Sequence, residues 1–415
     1  MKIRLLFLFA AIFLFPGCQQ DPIIVGPPVS DNTVRSLSKG EMQIVEADQS
    51  FAFNLMNQLT PMDTSKNLFI SPLSVSYAFG MALNGASGST YDAIRNVLEL
   101  QGLSEQVINE SFNSLMALLM NLDDQVIFEI ANSIWYKDDF PVLDAFLQVN
   151  KKYFDAEVRS MDFSNPTSVN IINGWAADKT HDKIKEVLDE IPPNVVMYLI
   201  NAIYFKATWL HEFDKTRTTE ENFYLDGQAT RPCQLMKMTD TLDYYVDDNL
   251  QAVTLPYGDD YYQMTVILPS STTDIDAFAS TFTFANWTTM LSNMSHGIGT
   301  VELPKFKTEY KLLMNDVLKA MGMQVAFTAG QADFSRITAA NDIYISRVIH
   351  NTFVQVDEEG TEAAAVTVIE FERLSGGSTL DFHMKVNRPF YFVIHEKQSG
   401  TILFMGKIKQ PQWTE

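Results

Sequence analysis

The segment of residues 357–389 changes its chemistry halfway along, and this change constrains the fold more than any other feature of the chain. Its first half is an acidic lead that ends at Gly360, followed by three alanines and a β-branched run at 366–369. Its second half contains Gly-Gly-Ser-Thr at 376–379, which is typical of an exposed turn. A strand-like sequence that runs directly into loop chemistry predicts a loop built to become a strand.

The alternation of side chains in this segment supports that prediction. On a strand, neighbouring residues face opposite sides. Within residues 361–372, the odd positions are all small or apolar, namely Thr361, Ala363, Ala365, Thr367, Ile369 and Phe371. The even positions of this stretch carry all of its charges, on Glu362, Glu370 and Glu372. One face can therefore enter a core while the other meets solvent, although an ordinary edge strand followed by a hairpin fits the same alternation.

Five segments of the chain resemble the serpin family of serine peptidase inhibitors. The sequence VDEEGTEAAAVTV at 356–368 is similar to the hinge of that family. The other four segments follow in the family's order, at 67–94, 199–214, 301–327 and 386–408. The resemblance runs from about Glu41 to the end of the sequence and shows no inserted domain.

The resemblance implies an α+β serpin fold with three β-sheets, about eight or nine helices and an exposed reactive-centre loop at about 358–380, in one domain over 41–415. The residue pattern agrees, with helical periods and then mostly strands. Helices are predicted at 41–59, 75–83, 105–119 and 168–184, the last with Trp175 on its buried side. Strands are predicted at 126–136, 195–205, 251–256, 261–268, 300–305, 343–357, 390–395 and 401–408. The run at 195–205 is almost continuously apolar, which predicts a central strand covered on both faces.

The resemblance also implies a mechanism, in which the loop is bait for a serine peptidase. The peptidase forms an acyl-enzyme with the loop, and the hinge then inserts into the central sheet before water can hydrolyse the ester. Papain-like cysteine peptidases are further targets of some family members. The alternative is a non-inhibitory serpin that acts as a binding or carrier protein. Such members typically have charged, bulky or proline residues in the hinge, and this chain has none at 363–367.

The family's functional positions match residues of this chain in three groups. The hinge group contains Glu358, Gly360, Thr361, Ala363, Ala364 and Ala365. The group that supports sheet opening contains Ser71, Ser74, Asn201 and His350 beneath the parting strands, Trp209 near the point of insertion, and Lys305 as an ion-pair partner of Glu358. The reactive bond is expected at Leu374–Ser375, or at Arg373–Leu374 if the loop is one residue shorter. Leucine suits chymotrypsin-, elastase- or subtilisin-like pockets, and arginine suits trypsin-like ones.

Composition and motifs exclude several other functions. A net charge of −21 without a basic run argues against nucleic-acid binding. The six histidines form no zincin motif, and no phosphate-binding glycine loop or Cys/His metal spacing is present, so we expect no enzyme, cofactor or metal. Cys233 has no catalytic partner nearby in the sequence and is expected to be a packed thiol. We expect a monomer.

The first forty residues predict export and a lipid anchor. Lys2 and Arg4 precede a short apolar stretch at 5–15, which has the form of a secretory signal. Gly17-Cys18 resembles a bacterial lipoprotein cleavage site, so residues 1–17 are the expected signal peptide and Cys18 the expected lipidation site. Residues 18–40 have the composition of a flexible tether. We therefore expect secretion across the inner membrane and anchoring at the outer membrane or cell surface, with a simple soluble secretory signal as the alternative.

Overall fold

The computed structural model describes residues 35–225, 229–361 and 380–413, and these contain nine α-helices and fifteen β-strands. The helices are α1 (Lys39–Leu59), α2 (Pro72–Leu83), α3 (Gly88–Val97), α4 (Glu105–Leu119), α5 (Asp144–Phe154), α6 (Thr167–Lys179), α7 (Ile275–Thr281), α8 (Phe284–Ser292) and α9 (Asn315–Leu318). The α+β fold class is confirmed.

The strands are β1 (Asn67–Ile70), β2 (Val126–Lys137), β3 (Glu157–Met161), β4 (Met197–Thr208), β5 (Thr219–Tyr224), β6 (Thr230–Val246), β7 (Leu250–Tyr257), β8 (Tyr262–Pro269), β9 (Ser295–Pro304), β10 (Phe306–Leu313), β11 (Ile349–Val356), β12 (Gly360–Thr361), β13 (Phe382–Lys385), β14 (Phe390–Glu396) and β15 (Ile402–Ile408).

The described strands form two hydrogen-bonded sheets, where the sequence led us to expect three. The nine-stranded sheet has the order β1-β15-β14-β8-β7-β6-β9-β13, with β5 also paired to β6. The six-stranded sheet has the order β10-β11-β12-β4-β2-β3. The count is two because β6 is 17 residues long and pairs with β5, β7 and β9 along different parts of its length. Strand β6 thus connects β7 and the strands beyond it with β9 and β13, so that all of them belong to one hydrogen-bonded sheet.

Two predicted elements end earlier or begin later than the sequence pattern suggested. Helix α6 ends at Lys179 instead of continuing to residue 184, because His181 and Asp182 have the left-handed φ values of +49° and +63°. Strand β11 begins at Ile349 instead of residue 343. The backbone of the preceding segment bonds outside the sheet, where Ile345 N donates to Ala326 O at 2.9 Å.

Helix α6 packs on one face of the six-stranded sheet. Trp175 of α6 meets Trp135 of β2 edge to face, with ring centroids 6.2 Å apart, and Ile172 and Ala202 are buried in the same cluster. Helix α2 lies against β4 and β15 and so sits between the two sheets. Across the three described ranges, the helices all fall short of the length and apolar content that a membrane span requires.

Candidate functional site

The six-stranded sheet is parted between β4 and β11. Within the described residues, these two strands are joined only through β12, which is two residues long. Thr361 pairs with Val356 of β11 on one side and with Ala207 of β4 on the other, and Gly360 pairs with Thr208. The first two hinge residues therefore already occupy a strand position at one end of this sheet.

Below β12 the two strands line a cavity of about 470 Å³. Its walls come from β4, from the segment that leads into β11, from α2, and from the chain around the end of α6. Residues 197–201 of β4 are only half-buried, whereas Ala202 is buried. The sequence prediction of a strand covered on both faces is therefore wrong for the first five residues of β4. Among the described residues, only β2 pairs with this part of β4, and its other edge borders the cavity.

A polar cluster lies at the base of this gap, at the start of α2. The Ser71 hydroxyl accepts a hydrogen bond from Ser74 N at 3.2 Å and donates to Leu403 O at 2.8 Å. Ser71 N donates to Nε2 of His350 at 3.0 Å, and this ring is buried. Burial lowers the pKa of His350 to about 4, so the imidazole is neutral and Nε2 is the acceptor. Three of the residues expected beneath the parting strands therefore lie in one network.

Asparagines on the two strands that border the gap have unused hydrogen-bonding capacity. Asn201 of β4 donates from Nδ2 to Asn132 Oδ1 at 2.8 Å, and its own Oδ1 is buried without a partner among the described residues. Asn351 of β11 donates to Glu186 O at 3.1 Å, and its buried Oδ1 likewise has no described partner. Because buried acceptors without partners cost free energy, these two positions favour a state that supplies donors.

Glycine is required at position 360. A Cβ atom there would lie 2.1 Å from Ala207 O and 2.7 Å from the Cα of Thr208, both backbone atoms of β4. The φ angle of Gly360 is +155°, which side chains with a Cβ rarely adopt. The close approach of the hinge to β4 therefore depends on the absence of a side chain.

Thr361 and Trp209 lie together at the top of the gap. Thr361 is 3% exposed, and its hydroxyl shares a hydrogen bond of 2.5 Å with the Tyr257 hydroxyl. The Trp209 ring stacks on Tyr257 with centroids 4.3 Å apart, and its Nε1 donates to Asp357 O at 2.9 Å. Trp209 N also donates to Glu359 O at 2.9 Å. These contacts fix the turn that precedes the hinge.

Glu358 is held by two side chains. Lys305 Nζ lies 2.8 Å from its Oε2, and the Thr218 hydroxyl donates to Oε1 at 2.7 Å. Burial alone would raise the pKa of Glu358, but these partners outweigh it, so the pKa lies below its usual value and the carboxylate is charged. The side chains of Lys305 and Glu358 are 16% and 7% exposed. The expected partner of Glu358 is thus in place, in a more buried setting than a surface pair.

Several predicted residues lie outside the described part of the chain, namely Cys18, Ala363, Ala364, Ala365, Arg373, Leu374 and Ser375. The sequence did not indicate Tyr257, Thr218 or Asn132 as site residues. Each of them stands in a strand or loop pattern that indicates packing, and only long-range contacts reveal the role. Lys215, which pairs with Glu359, was missed for the same reason.

Cys233 is buried, and burial raises the pKa of its thiol to about 11, so it is a weak nucleophile. Within residues 35–225, 229–361 and 380–413, no three His, Cys, Asp or Glu side chains are grouped to hold a metal ion.

Comparisons with known proteins agree with this geometry. The family model described as Serpin (serine protease inhibitor) matches residues 46–411. An uncharacterized serpin-like protein of Methanosarcina acetivorans is 32% identical over 431 residues, covering 100% of both chains. The native-state structure of tengpin, a thermophilic serpin, has a TM-score of 0.81 at 30% identity and covers 91% of this chain and 95% of that one. Human thyroxine-binding globulin complexed with its ligand has a TM-score of 0.81 at 27% identity, with 90% and 100% covered.

Proposed function

Because this chain belongs to the serpin family, we propose that it is a suicide-type inhibitor of serine peptidases. One observation carries this proposal: β4 and β11 are parted, and the hinge already enters between them, where Thr361 pairs with both strands and Gly360 with β4. A sheet with a strand position started at one end and a cavity below it is suited to receive a longer strand. The residues that follow Thr361 alternate in the sense that such a strand needs.

The sequence of events follows from this arrangement. A peptidase attacks the scissile carbonyl of the loop and becomes esterified to it, with release of the new amino terminus. The hinge then continues from Thr361 between β4 and β11 and carries the peptidase with it. About ten new ladder hydrogen bonds at roughly 1 kcal/mol each contribute on the order of 10 kcal/mol. That free energy is comparable with the whole stability of an ordinary domain and opposes return to the uncleaved state.

The residue that forms the ester determines which peptidases are trapped. We propose Leu374, with Ser375 on the leaving side, which selects chymotrypsin-, elastase- or subtilisin-like enzymes. Arg373 is the second candidate and selects trypsin-like enzymes. Papain-like cysteine peptidases form a thioester by the same chemistry and are further candidate partners.

The test is incubation of the protein with chymotrypsin, elastase and trypsin, each at several molar ratios. We expect a covalent complex that survives denaturing electrophoresis, together with a released peptide whose mass shows that it begins at Ser375. A peptide that begins at Leu374 moves the bond to Arg373. Cleavage by all three enzymes without any complex contradicts the proposal.

A carrier function is the second candidate, and the likeness to thyroxine-binding globulin favours it. That protein matches 90% of this chain and was solved with its small ligand bound. A non-inhibitory serpin is cleaved in its loop without retaining the peptidase. The electrophoresis experiment therefore separates the two functions directly.

We also propose that the chain is exported and anchored by a lipid on Cys18, at the outer membrane or cell surface. Production of the full chain in a bacterium with a labelled fatty acid tests this. Label is expected in the wild type and in Cys233→Ser, which removes the only other cysteine, and not in Cys18→Ser. Label that persists in Cys18→Ser, or its absence from the wild type, contradicts the anchor.

A further inference from the structure

We propose that residues 409–413, here called the strap, hold Lys305 against Glu358, and that Trp413 is a positioning residue for the hinge. This inference rests on the proposed inhibitory function and assigns a role to a segment that follows the last strand, β15. It stands on three successive contacts, which fix the strap at its start, at its middle and at its end.

The start of the strap is fixed by one side chain of β1. Oδ1 of Asn67 accepts hydrogen bonds from Lys409 N and Gln410 N, both at 3.1 Å. Nδ2 of the same residue donates to Gln410 O at 2.9 Å. One amide thus bonds three backbone groups and sets the direction in which the chain leaves β15.

The middle of the strap crosses to the six-stranded sheet. Gln412 O accepts a hydrogen bond of 2.7 Å from Lys307 N of β10. Strand β10 is the edge strand of this sheet and pairs with β11 through its other side. The strap therefore covers part of the edge that β10 leaves open, next to the strand that carries the hinge turn.

The end of the strap places an aromatic ring on the hinge ion pair. Lys305 Nζ lies 4.2 Å from the centroid of the Trp413 ring and 2.8 Å from Glu358 Oε2. A lysine side chain has a flexible stem of four carbons, so pairing with a carboxylate alone leaves its ammonium group considerable conformational freedom. A ring face on one side and a carboxylate on the other restrict the ammonium to one position, since both attract the same charge.

The consequence concerns the competition between insertion and hydrolysis. Glu358 lies within the turn from which the hinge enters the sheet, which a hydrogen bond of 3.0 Å from Asp357 N to Gly360 O closes. Loss of the ring frees the Lys305 side chain, loosens this turn, and slows the productive start of insertion. More acyl-enzymes are then hydrolysed, and more inhibitor molecules are consumed for each peptidase trapped.

The experiment compares Trp413→Leu, Trp413→Phe and a matched control in the full chain. The control is Tyr153→Leu, which removes the cation–π contact of Lys152 at 4.5 Å on α5. The readout is the number of inhibitor molecules consumed per peptidase trapped. Trp413→Leu is expected to raise this number by about fivefold, the size of an ordinary cation–π contribution. Trp413→Phe, which keeps a ring face, is expected to restore most of the loss, and the control to change nothing.

A second measurement is independent of inhibition. The melting temperatures of Trp413→Leu, Lys305→Met and the double variant form a cycle, and we expect the double variant to lose less than the two single losses combined. If the wild type traps no peptidase, the inhibitory function fails, and this cycle still tests the contact. Additive losses of melting temperature would overturn the proposed role of the strap. So would an unchanged number of inhibitor molecules consumed by Trp413→Leu, or a Trp413→Phe variant that consumes as many as Trp413→Leu.

Discussion

The two ends of the gap between β4 and β11 differ in how completely their polar groups are paired. At the upper end, the Thr361 hydroxyl meets Tyr257 and the Glu358 carboxylate has two partners. At the lower end, the strands border a cavity of about 470 Å³, and the acceptors of Asn201 and Asn351 have no partner within the described residues. The upper end of the gap thus has complete strand pairing through β12, whereas the lower end still has space and unpaired acceptors.

In the proposed mechanism, this difference separates the start of insertion from its driving force. The contacts of the upper end would determine where the hinge enters and in which register. The unfilled lower end would determine how much free energy is released when more of the segment follows. Substitutions at the upper end should therefore weaken the pairing of the hinge and alter the outcome of an encounter with a peptidase. Changes at the lower end should alter how stability depends on pH.

The largest effect is expected from Thr361→Arg. This side chain is 3% exposed between β4 and β11, so an arginine there must bury a charge or stay outside the sheet. We expect loss of the covalent complex and conversion of the protein into a cleaved substrate, seen on denaturing gels. Thr361→Ser, which keeps the hydroxyl, is the control. Undiminished complex formation by the arginine variant would show that this position does not enter the sheet first.

A smaller effect is expected from Gly360→Ala. The new Cβ would lie 2.1 Å from Ala207 O, and backbone must shift to accommodate it. We expect β12 to detach from β4, with destabilisation on the order of 2 kcal/mol in thermal unfolding. Gly174→Ala in α6 is the matched control, because nothing lies within 4 Å of its Cβ position. Equal melting temperatures for the two variants would contradict the close approach of the hinge.

The third prediction concerns pH at the lower end of the gap, and its effect is the smallest at neutral pH because it develops only as the pH falls below 6.5. The folded state lowers the pKa of His350 from 6.5 to about 4, so the unfolded chain takes up a proton first as the pH falls. Its contribution to stability is present above pH 6.5 and is lost progressively toward pH 4, by about 3 kcal/mol at most. Subtracting the profile of His350→Gln from that of the wild type isolates this residue from Asp48, whose pKa burial raises to about 7 and whose effect has the opposite sign.

His395 provides the control for that experiment. It is equally buried, and burial lowers its pKa to about 4 as well, but it lies in β14, where Nε2 is 3.0 Å from the Thr265 hydroxyl. Both histidine variants should flatten the pH dependence of unfolding. Only His350→Gln should alter the pH dependence of amide hydrogen exchange in residues 197–202 relative to the wild type, because only His350 lies at the gap. If both variants show the same pH dependence of exchange, His350 has no role in sheet opening.

Local patterns in the sequence predicted half of the described helices and strands, namely α1, α2, α4, α6, β2, β4, β7, β8, β9, β11, β14 and β15. The helix at 105–119 and the strands at 126–136 and 390–395 were found within one residue, because their periodicity is local. Strand β12 could not be predicted from the sequence, because two residues are too few to show the alternating pattern of a strand. The start of β11 was misplaced because apolar residues at 343–348 bond elsewhere.

The candidate site was predictable only where the family resemblance supplied it. Lys305 and Glu358 are 53 positions apart, and nothing local to either residue indicates the other. The resemblance also brought Ser71 and His350 together, and the structure joins them through one hydrogen bond. Tyr257 and Trp413 have no such signal in the sequence. The contact of Tyr257 with Thr361 and that of Trp413 with Lys305 depend on the packing of segments from different parts of the chain.

The most direct test of the central claim is the melting temperature of the protein before and after a single cut within residues 362–379. If the freed segment fills the gap between β4 and β11, its new ladder bonds should raise the melting temperature by on the order of 10 °C or more. Amide exchange in β4 and β11 should slow at the same time. An unchanged or lower melting temperature after cleavage, with both strands still exchanging at the original rate, would contradict insertion into this sheet.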